Sequence, residues 1–403
     1  MKKMLLIAMA VTLGVAVSMP AAAVENEFGG YWRTRASSEI DFDGTENGPH
    51  SGTNSRVDTR TKLYYTAKFN ENFKFVNKFE IDNYWGDDTG GDIGADGKII
   101  EVKNTYIDFN AANHNFKIGI QPAVIARGFM FDDDFAGVTA TCNIGSMALP
   151  FIWMKTSDKD LDTDYNPTIG SKLGTTRDYY AFNPKFTVND TLTVNPFILL
   201  DKEQSTDTAV YYVGANVDAK IDTVSAWGTA IYETGETANV DNAAYLMAVG
   251  ADAGLVHGQF FYASGDDGTD ATEDNTFAGP AGACYYWSEI MGKGIFDDTN
   301  SNNAPGTAVS DVMALNVGVT IKPMDKLTLA ADLWYAQLSE DTNMGTVAVP
   351  DMQKDLGFEV DVKATYMILD NLKLDVVAAY LIAGDATGTE DPIELGTQLS
   401  FSF

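Results

Sequence analysis

Histidine is nearly absent from this chain. His50, His114 and His257 are the whole supply in 403 residues, and Cys142 and Cys284 are the only cysteines. General acid–base catalysis most often uses histidine, so no catalytic constellation is expected and the chain is not read as an enzyme. No CxxCH occurs, which excludes covalently attached haem, and no cofactor is expected. Positive charge is scarce: 27 Lys and Arg stand against 57 Asp and Glu, a net charge of −30. Such a balance offers no basic surface for nucleic acid. After residue 23 no stretch approaches 18 consecutive apolar residues, so no helix is expected to span a bilayer. No Pro/Ser-rich linker divides the chain, which is read as one domain.

What is present begins with MKKMLLIAMAVTLGVAVSMPAAA. Lys2 and Lys3 precede an apolar run from Met4 to Val17, and small residues end at Ala23, the pattern of a secretory signal peptide. The run is shorter than the roughly 20 residues of a spanning helix. Residues 1–23 are therefore assigned to the signal and 24–403 to the mature domain. Export places the two cysteines in an oxidising compartment, where a Cys142–Cys284 disulfide is conceivable if their Cα atoms approach within roughly 7 Å.

The mature chain alternates. In Ile393–Phe403 the odd positions Ile393, Leu395, Thr397, Leu399, Phe401 and Phe403 share one face, and Glu394, Gly396, Gln398, Ser400 and Ser402 the other. The same period of two runs through Leu356, Phe358, Val360, Val362, Ala364 and Tyr366, opposite Gly357, Glu359, Asp361, Lys363 and Thr365. It recurs in Leu315, Val317, Val319 and Ile321, opposite Asn316, Gly318, Thr320 and Lys322. Strands with one apolar and one charged face fit a wall between lipid and a wet lumen.

Short polar turns punctuate the strands at Asn70–Asn72, Asn110–Asn115, Asn143–Met147, Val188–Thr191, Lys220–Thr223, Ala253–Gly254, Pro323–Lys326 and Leu369–Asn371. Longer connections fall between them, at about 41–55, 86–98, 127–134, 158–177, 204–208, 234–241, 265–310, 339–353 and 385–391. Eight turns interleaved with nine loops predict an all-β, transmembrane antiparallel barrel of eighteen strands, or sixteen if Phe135–Asn143 and a neighbour are not separate spans. Both termini then lie on the short-turn, periplasmic side. His50 would sit across the membrane from His114 and His257. The pairs Tyr31-Trp32, Tyr64-Tyr65, Tyr84-Trp85, Tyr179-Tyr180, Tyr211-Tyr212 and Trp334-Tyr335 lie near strand ends, where interfacial aromatic girdles form.

On this alternation Arg33, Arg35, Arg56, Arg60 and Lys62 point inward as a basic ladder. Charges on the lipid face near the midplane would cost about 2–4 kcal/mol each. The segment from Arg127 to Asp134 carries Asp132, Asp133 and Asp134, a candidate acidic constriction loop facing that ladder. Two readings stand side by side: a transverse field across the pore, or charges that merely pair in a solvated lumen. The predicted outer loops are acidic: Asp41, Asp43, Glu46; Asp87, Asp88, Asp92, Asp96; Asp158, Asp160, Asp162, Asp164; Asp266, Asp267, Asp270, Glu273, Asp274. The run from Asp158 to Asp164 has calcium-loop spacing, but Thr163 and Ile169 stand where glycine and glutamate are required. No metal site is assigned, although loose divalent cations bridging lipopolysaccharide are compatible with these loops.

Several stretches resemble the porins of anaerobic metal- and sulfur-reducing bacteria and, more distantly, the alginate-export barrels. They are GGYWRTR (29–35), RVDTRTKLYY (56–65), FKIGIQP (116–122), DDDFAG (132–137) and KDLGFEVDVKATYMILDNLKLDV (354–376). The terminal Phe403 resembles the C-terminal signal that barrel-assembly machinery reads. The resemblance implies a Gram-negative outer-membrane, multi-pass barrel reached by Sec-type export, in contact with lipid and lipopolysaccharide. It implies either a homotrimer, common in porins, or a monomer, common in alginate exporters. The function expected is passive diffusion of ions and small hydrophilic solutes. The alternatives are a substrate-selective channel or exporter for an anionic polysaccharide, and a structural partner of outer-membrane electron-transfer proteins.

Overall fold

Period-two stretches ending in Asn-, Asp- and Gly-rich dipeptides form hairpins wherever the dipeptide accepts positive φ. The computed structural model of the chain contains a succession of them. The structure describes residues 24–44, 52–87, 99–145, 147–158, 176–204, 206–296, 299–345 and 351–403, and the backbone alone of 165–166 and 171–172. The signal segment 1–23, Glu46, His50, Asp88, Asp92, Asp96, Asp160, Asp162, Thr163, Asp164 and Ile169 lie outside the described residues.

The strands are β1 (Glu25–Ile40), β2 (Thr53–Asn70), β3 (Phe73–Tyr84), β4 (Glu101–Ala111), β5 (His114–Ile125) and β6 (Phe131–Ile144). They continue as β7 (Met147–Ser157), β8 (Arg177–Phe182, resumed at Phe186–Asn189), β9 (Leu192–Glu203), β10 (Ala209–Ile221), β11 (Val224–Thr237) and β12 (Val240–Ala253). The last six are β13 (Val256–Ala263), β14 (Val312–Met324), β15 (Leu327–Asn343), β16 (Met352–Leu369), β17 (Leu372–Ala383) and β18 (Ile393–Ser402). Each pairs antiparallel with its sequence neighbours, and β18 closes on β1 from Tyr31↔Ser402 to Ile40↔Ile393. The result is a closed eighteen-stranded antiparallel barrel. Phe135–Asn143 lies within β6, a span of its own.

Closure is completed by the last residue. Gly30 N donates to Phe403 O at 2.8 Å and Phe403 N to Gly30 O at 3.1 Å. The Phe403 ring lies over Gly30, where a Cβ would meet its Cζ at 2.4 Å, so the seam requires glycine. Every predicted short turn is present, each reduced to two residues between strand ends, as at Ala112-Asn113 with φ of 49° and 70°. One predicted long loop is not long. β11 and β12 run on to a two-residue turn at Ala238-Asn239, with φ of 53° and 70°.

The outward face is an exposed apolar band that includes Val213, Val249, Leu315, Val317, Val360, Val376 and Leu395. One predicted outward residue is misplaced: Leu356 is fully buried, because a bulge at Gly357 (φ 110°) shifts the β15–β16 register and turns it inward. Aromatic rings pair across strands at both ends of the wall. Phe69–Phe73 and Phe109–Phe116 lie at the short-turn end, where Phe401 and Phe403 also stack along β18 itself, and Tyr245–Tyr262 and Tyr335–Phe358 lie at the other. The predicted girdle pairs split, because neighbours on a strand face opposite ways. Tyr180 and Tyr211 are exposed outward, while Tyr179, Tyr212 and Trp334 are buried inside.

Two segments fold into the barrel. Between Thr105↔Ile120 and Ala136↔Lys155 the hairpin of β5 and β6 leaves the wall, and above that level the two strands pair only with each other. The departure is marked by the cross-strand pair Gly119↔Gly137, where a Cβ would lie 2.2 Å from Thr105 O and 1.9 Å from Trp153 O respectively. The second segment is the 264–311 connection between β13 and β14. The core lies between these two segments and the inward faces of β7 to β17, and includes Met130, Met154, Leu199, Phe261, Phe277 and Ile290.

A charge placed on the apolar band should be costly. Val317→Arg, at mid-strand on β14, is expected to lower folding stability in bilayers by about 2–4 kcal/mol. Urea unfolding in liposomes, monitored by tryptophan fluorescence, checks this.

Candidate functional site

The five basic residues predicted to face inward do share one face, opposite the exposed Leu63, but most are paired. Arg35 is 5% exposed. Its Nε donates to both Asp58 carboxylate oxygens at 2.9 and 3.1 Å, and its guanidinium also donates to Ile295 O at 3.0 Å and Phe296 O. Arg35 therefore pins the 264–311 segment to the wall. Arg56 pairs with Glu39 at 3.2 Å, Arg60 with Asp82 at 2.6 Å and Glu80 at 3.4 Å, and Lys62 with Glu80 at 2.8 Å. Arg33 has no ion pair among the described residues, and its Nε is buried without a hydrogen-bond partner. The ladder is thus an interleaved acid–base lattice in which Arg33 carries the unbalanced charge.

The predicted constriction loop differs from expectation in form. Asp132, Asp133 and Asp134 belong to β6, because the hairpin keeps its strand pairing as it enters the lumen; the connecting turn is only 126–130. Of the three acids, Asp134 meets the basic side. It accepts from Asn104 Nδ2 at 2.5 Å and lies 3.7 Å from Lys103 Nζ, beside a cavity of about 160 Å³ that Lys62, Tyr64 and Lys78 also line. Asp132 and Asp133 are exposed.

The tip of the hairpin reaches the far wall. Arg127 pairs with Asp218 of β10 and covers the Trp227 ring at 4.8 Å, while Phe129 stacks on Tyr285 at 3.8 Å. Ala126, Arg127 and Gly128 all have positive φ. Backbone bonds hold this conformation, from Cys284 N to Gly128 O at 2.9 Å and from Asp132 N to Gly282 O at 2.8 Å. The suggested disulfide is not formed, and both cysteines are thiols. Cys142 lies near the short-turn end of β6, opposite Leu149, whereas Cys284 packs against the hairpin tip inside the barrel.

The 264–311 segment crosses the lumen on polar anchors. Ala278 N donates to Glu233 and Ala281 N to the Tyr179 hydroxyl, both at 3.0 Å. On the opposite side Glu359, fully buried, accepts from Ile290 N at 2.7 Å and from Met291 N and Ser288 Oγ at 3.0 Å. Phe296 ends the crossing over Gly396, where a Cβ would come within 2.1 Å of its ring. Around these anchors stands an acidic face that the sequence reading did not single out: Asp332, Glu359, Asp361, Asp375 and Glu394 on β15–β18, with Glu289 on the segment. The signal was present in the alternation FEVDVK (358–363), read there only as evidence of an inward polar face. At the mouth, Asp267 and Asp270 accept the backbone and hydroxyl donors of Thr269 and Thr272, which hold both carboxyls below the usual range. Among the described residues no three His, Cys, Asp or Glu side chains converge as a metal ion needs.

An inward-folded hairpin and a lumen-crossing loop inside eighteen strands define a constricted transmembrane barrel. The chain is similar in fold to OccAB1 of Acinetobacter baumannii, at 12% identity and TM-score 0.63 over 96% of this chain and 99% of that one. It is also similar to OccK9 (OpdG) of Pseudomonas aeruginosa, at 14% and 0.62 over 94% and 98%, and to OpdQ of the same organism, at 14% and 0.61 over 94% and 97%. These are Occ/Opd outer-membrane porins. No protein-family model and no curated protein sequence matches the chain.

Burial lifts the Glu289 carboxyl to about 7, with Glu359 and Asp332 adding to the rise and Lys363 and the Ile295 amide opposing it. The protonated form is thus favoured while the segment is seated. Its contribution is fully present below the carboxyl's unseated value and is lost as pH rises from about 4.5 to about 7, by at most about 3 kcal/mol. Protease cleavage within 264–311 should accelerate across that pH range, and Glu289→Gln should flatten the profile.

Proposed function

We propose that this chain is an outer-membrane channel for passive diffusion of ions and small hydrophilic solutes. The observation that carries the reading is the closed eighteen-stranded wall, apolar outside, with ion-paired strands and two infolded segments narrowing its interior. A wall of this kind satisfies its backbone in lipid and leaves polar side chains for a water-filled passage. On this reading Arg33, Arg35, Arg56, Arg60 and Lys62 line one side of the passage and Asp132, Asp133 and Asp134 the facing hairpin. Residues 1–23 direct export and are removed, and Phe403 serves barrel assembly.

The resemblance of the strand motifs to porins of metal- and sulfur-reducing bacteria fits the same reading. Polyanion export, suggested by the alginate-export resemblance, fits less well. Arg35 is committed to holding the 264–311 segment, the other ladder residues except Arg33 face carboxylates, and β15–β18 present acid.

The test is single-channel conductance of the refolded mature chain in planar bilayers, with reversal potentials in a salt gradient. Stable open steps are expected, without block by an oligouronate; absence of conductance would overturn the channel reading. Arg33→Glu removes the unbalanced cation without orphaning a carboxylate, and should raise cation over anion permeability by about twofold. An unchanged reversal potential would exclude Arg33 from the passage.

A further inference from the structure

The outward face of the wall is not uniform. On β9 to β17 the outward positions between the aromatic rims are apolar, Val213, Val249, Val317 and Val376 among them. On the consecutive strands β18, β1, β2, β3 and β4 they include hydrogen-bonding side chains: Thr397, Thr34, Thr59 with Thr61, Asn77 and Thr105. Thr34 and Thr59 satisfy each other at 2.9 Å, and Thr59 also accepts from Trp85 Nε1 at 2.9 Å. Thr61, Asn77 and Thr105 have no side-chain hydrogen bond among the described residues. Asn77 is the clearest case. It lies between Phe73 at one rim and Tyr84 at the other, half-buried on the outer face and opposite Thr105 of β4, while its strand neighbours Val76 and Lys78 face the lumen. The strand edge beside Thr105 is open as well. From Glu101 to Asn104, β4 pairs with β3 alone among the described residues, because β5 and β6 have turned into the lumen.

We propose that this sector of the wall, from β18 round to β4, is a contact surface for a second copy of this chain within the membrane. Hydrocarbon can neither donate to nor accept from an amide, a hydroxyl or a strand edge, and leaving such groups unmet in lipid is costly. A second protein surface meets the need. Threonine and asparagine side chains both donate and accept, so the patch is complementary to itself, as a two-fold contact between identical subunits requires. Between the rims the sector turns no charged side chain outward, so two copies approach without repulsion. Its small side chains, Ala36 and the threonines, let two walls come close, as small residues do where membrane helices meet. The proposal rests on the membrane-spanning barrel and asks nothing of the solute that passes.

Photocross-linking in outer membranes tests the surface. The probe p-benzoylphenylalanine in place of Leu63, exposed within the sector, should give an adduct of two copies, whereas the same probe in place of Val213, exposed on the other side of the barrel, should not. In liposomes the double variant Asn77→Leu, Thr105→Val should weaken self-association of the mature chain by about tenfold, read from energy transfer between labelled copies as the protein-to-lipid ratio is lowered. Absence of a two-copy adduct from Leu63, adducts there only with other proteins or with lipid, equal two-copy adducts from both positions, or undiminished association of a folded double variant would overturn the proposal. Folding of each variant is read from heat-modifiable mobility, and the cross-linking comparison decides the matter if the double variant does not fold. Neither readout depends on conductance, so failure of the contact surface and failure of the channel reading are separate results.

Discussion

Hydrocarbon offers no partner to a backbone amide or carbonyl, and an unmet one costs several kcal/mol. That constraint shapes this protein from its first strand to its last residue. Neighbouring strands must pair without a break around the wall, so β18 must find β1, and the pairing runs through Ile40↔Ile393 to the Gly30–Phe403 bonds. Gly30 is tied to the same requirement, because the Phe403 ring occupies the space its side chain would take. Where β5 and β6 depart from the wall, they do so as a pair and keep each other's hydrogen bonds.

A ring of eighteen strands is too wide for its own side chains to fill. The hairpin tip and the 264–311 segment take up that interior space, and their seating follows from the same accounting of polar groups. Segment amides that have lost water are met by Glu359, Glu233 and the Tyr179 hydroxyl, and segment carbonyls by Arg35. Apolar side chains between the anchors, Phe277, Trp287 and Ile290 among them, bury against inward residues such as Phe261 and Trp334. One side of the barrel interior is therefore a packed core, and the ion-paired lattice of β1–β4 lies on the other.

Strand number and turn positions were legible in the sequence because both are local. Two-residue periodicity sets a face, and an Asn-, Asp- or Gly-bearing dipeptide ends it. The errors arose where local pattern and tertiary placement part. Leu356 continues an alternation that the Gly357 bulge breaks. Asp132–Asp134 read as a loop because three acids seldom sit in a strand, yet this strand has left the lipid zone and is not bound by its rule. Ala238-Asn239 was hidden inside a polar stretch that is in fact strand. The basic ladder was legible as a face, but its pairing was not, since Arg60 meets Asp82 and Glu80 through a register that alternation alone does not fix.

The distribution of charge inside the barrel follows from which groups must hold backbone and which need only hold each other. On β1–β4 the cations and acids come in cross-strand partners, so their fields largely cancel at a distance and Arg33 remains as the local excess. On β15–β18 Glu359 serves as an acceptor for segment amides and Asp361 does so in part, work that calls for carboxylates rather than for equal numbers of cations. Anchoring a loop by its N–H groups thus leaves that side of the lumen acidic. In a narrow, low-dielectric passage such an imbalance acts over several ångströms. The carboxylates that seat the segment are therefore also the ones that make this side of the interior acidic.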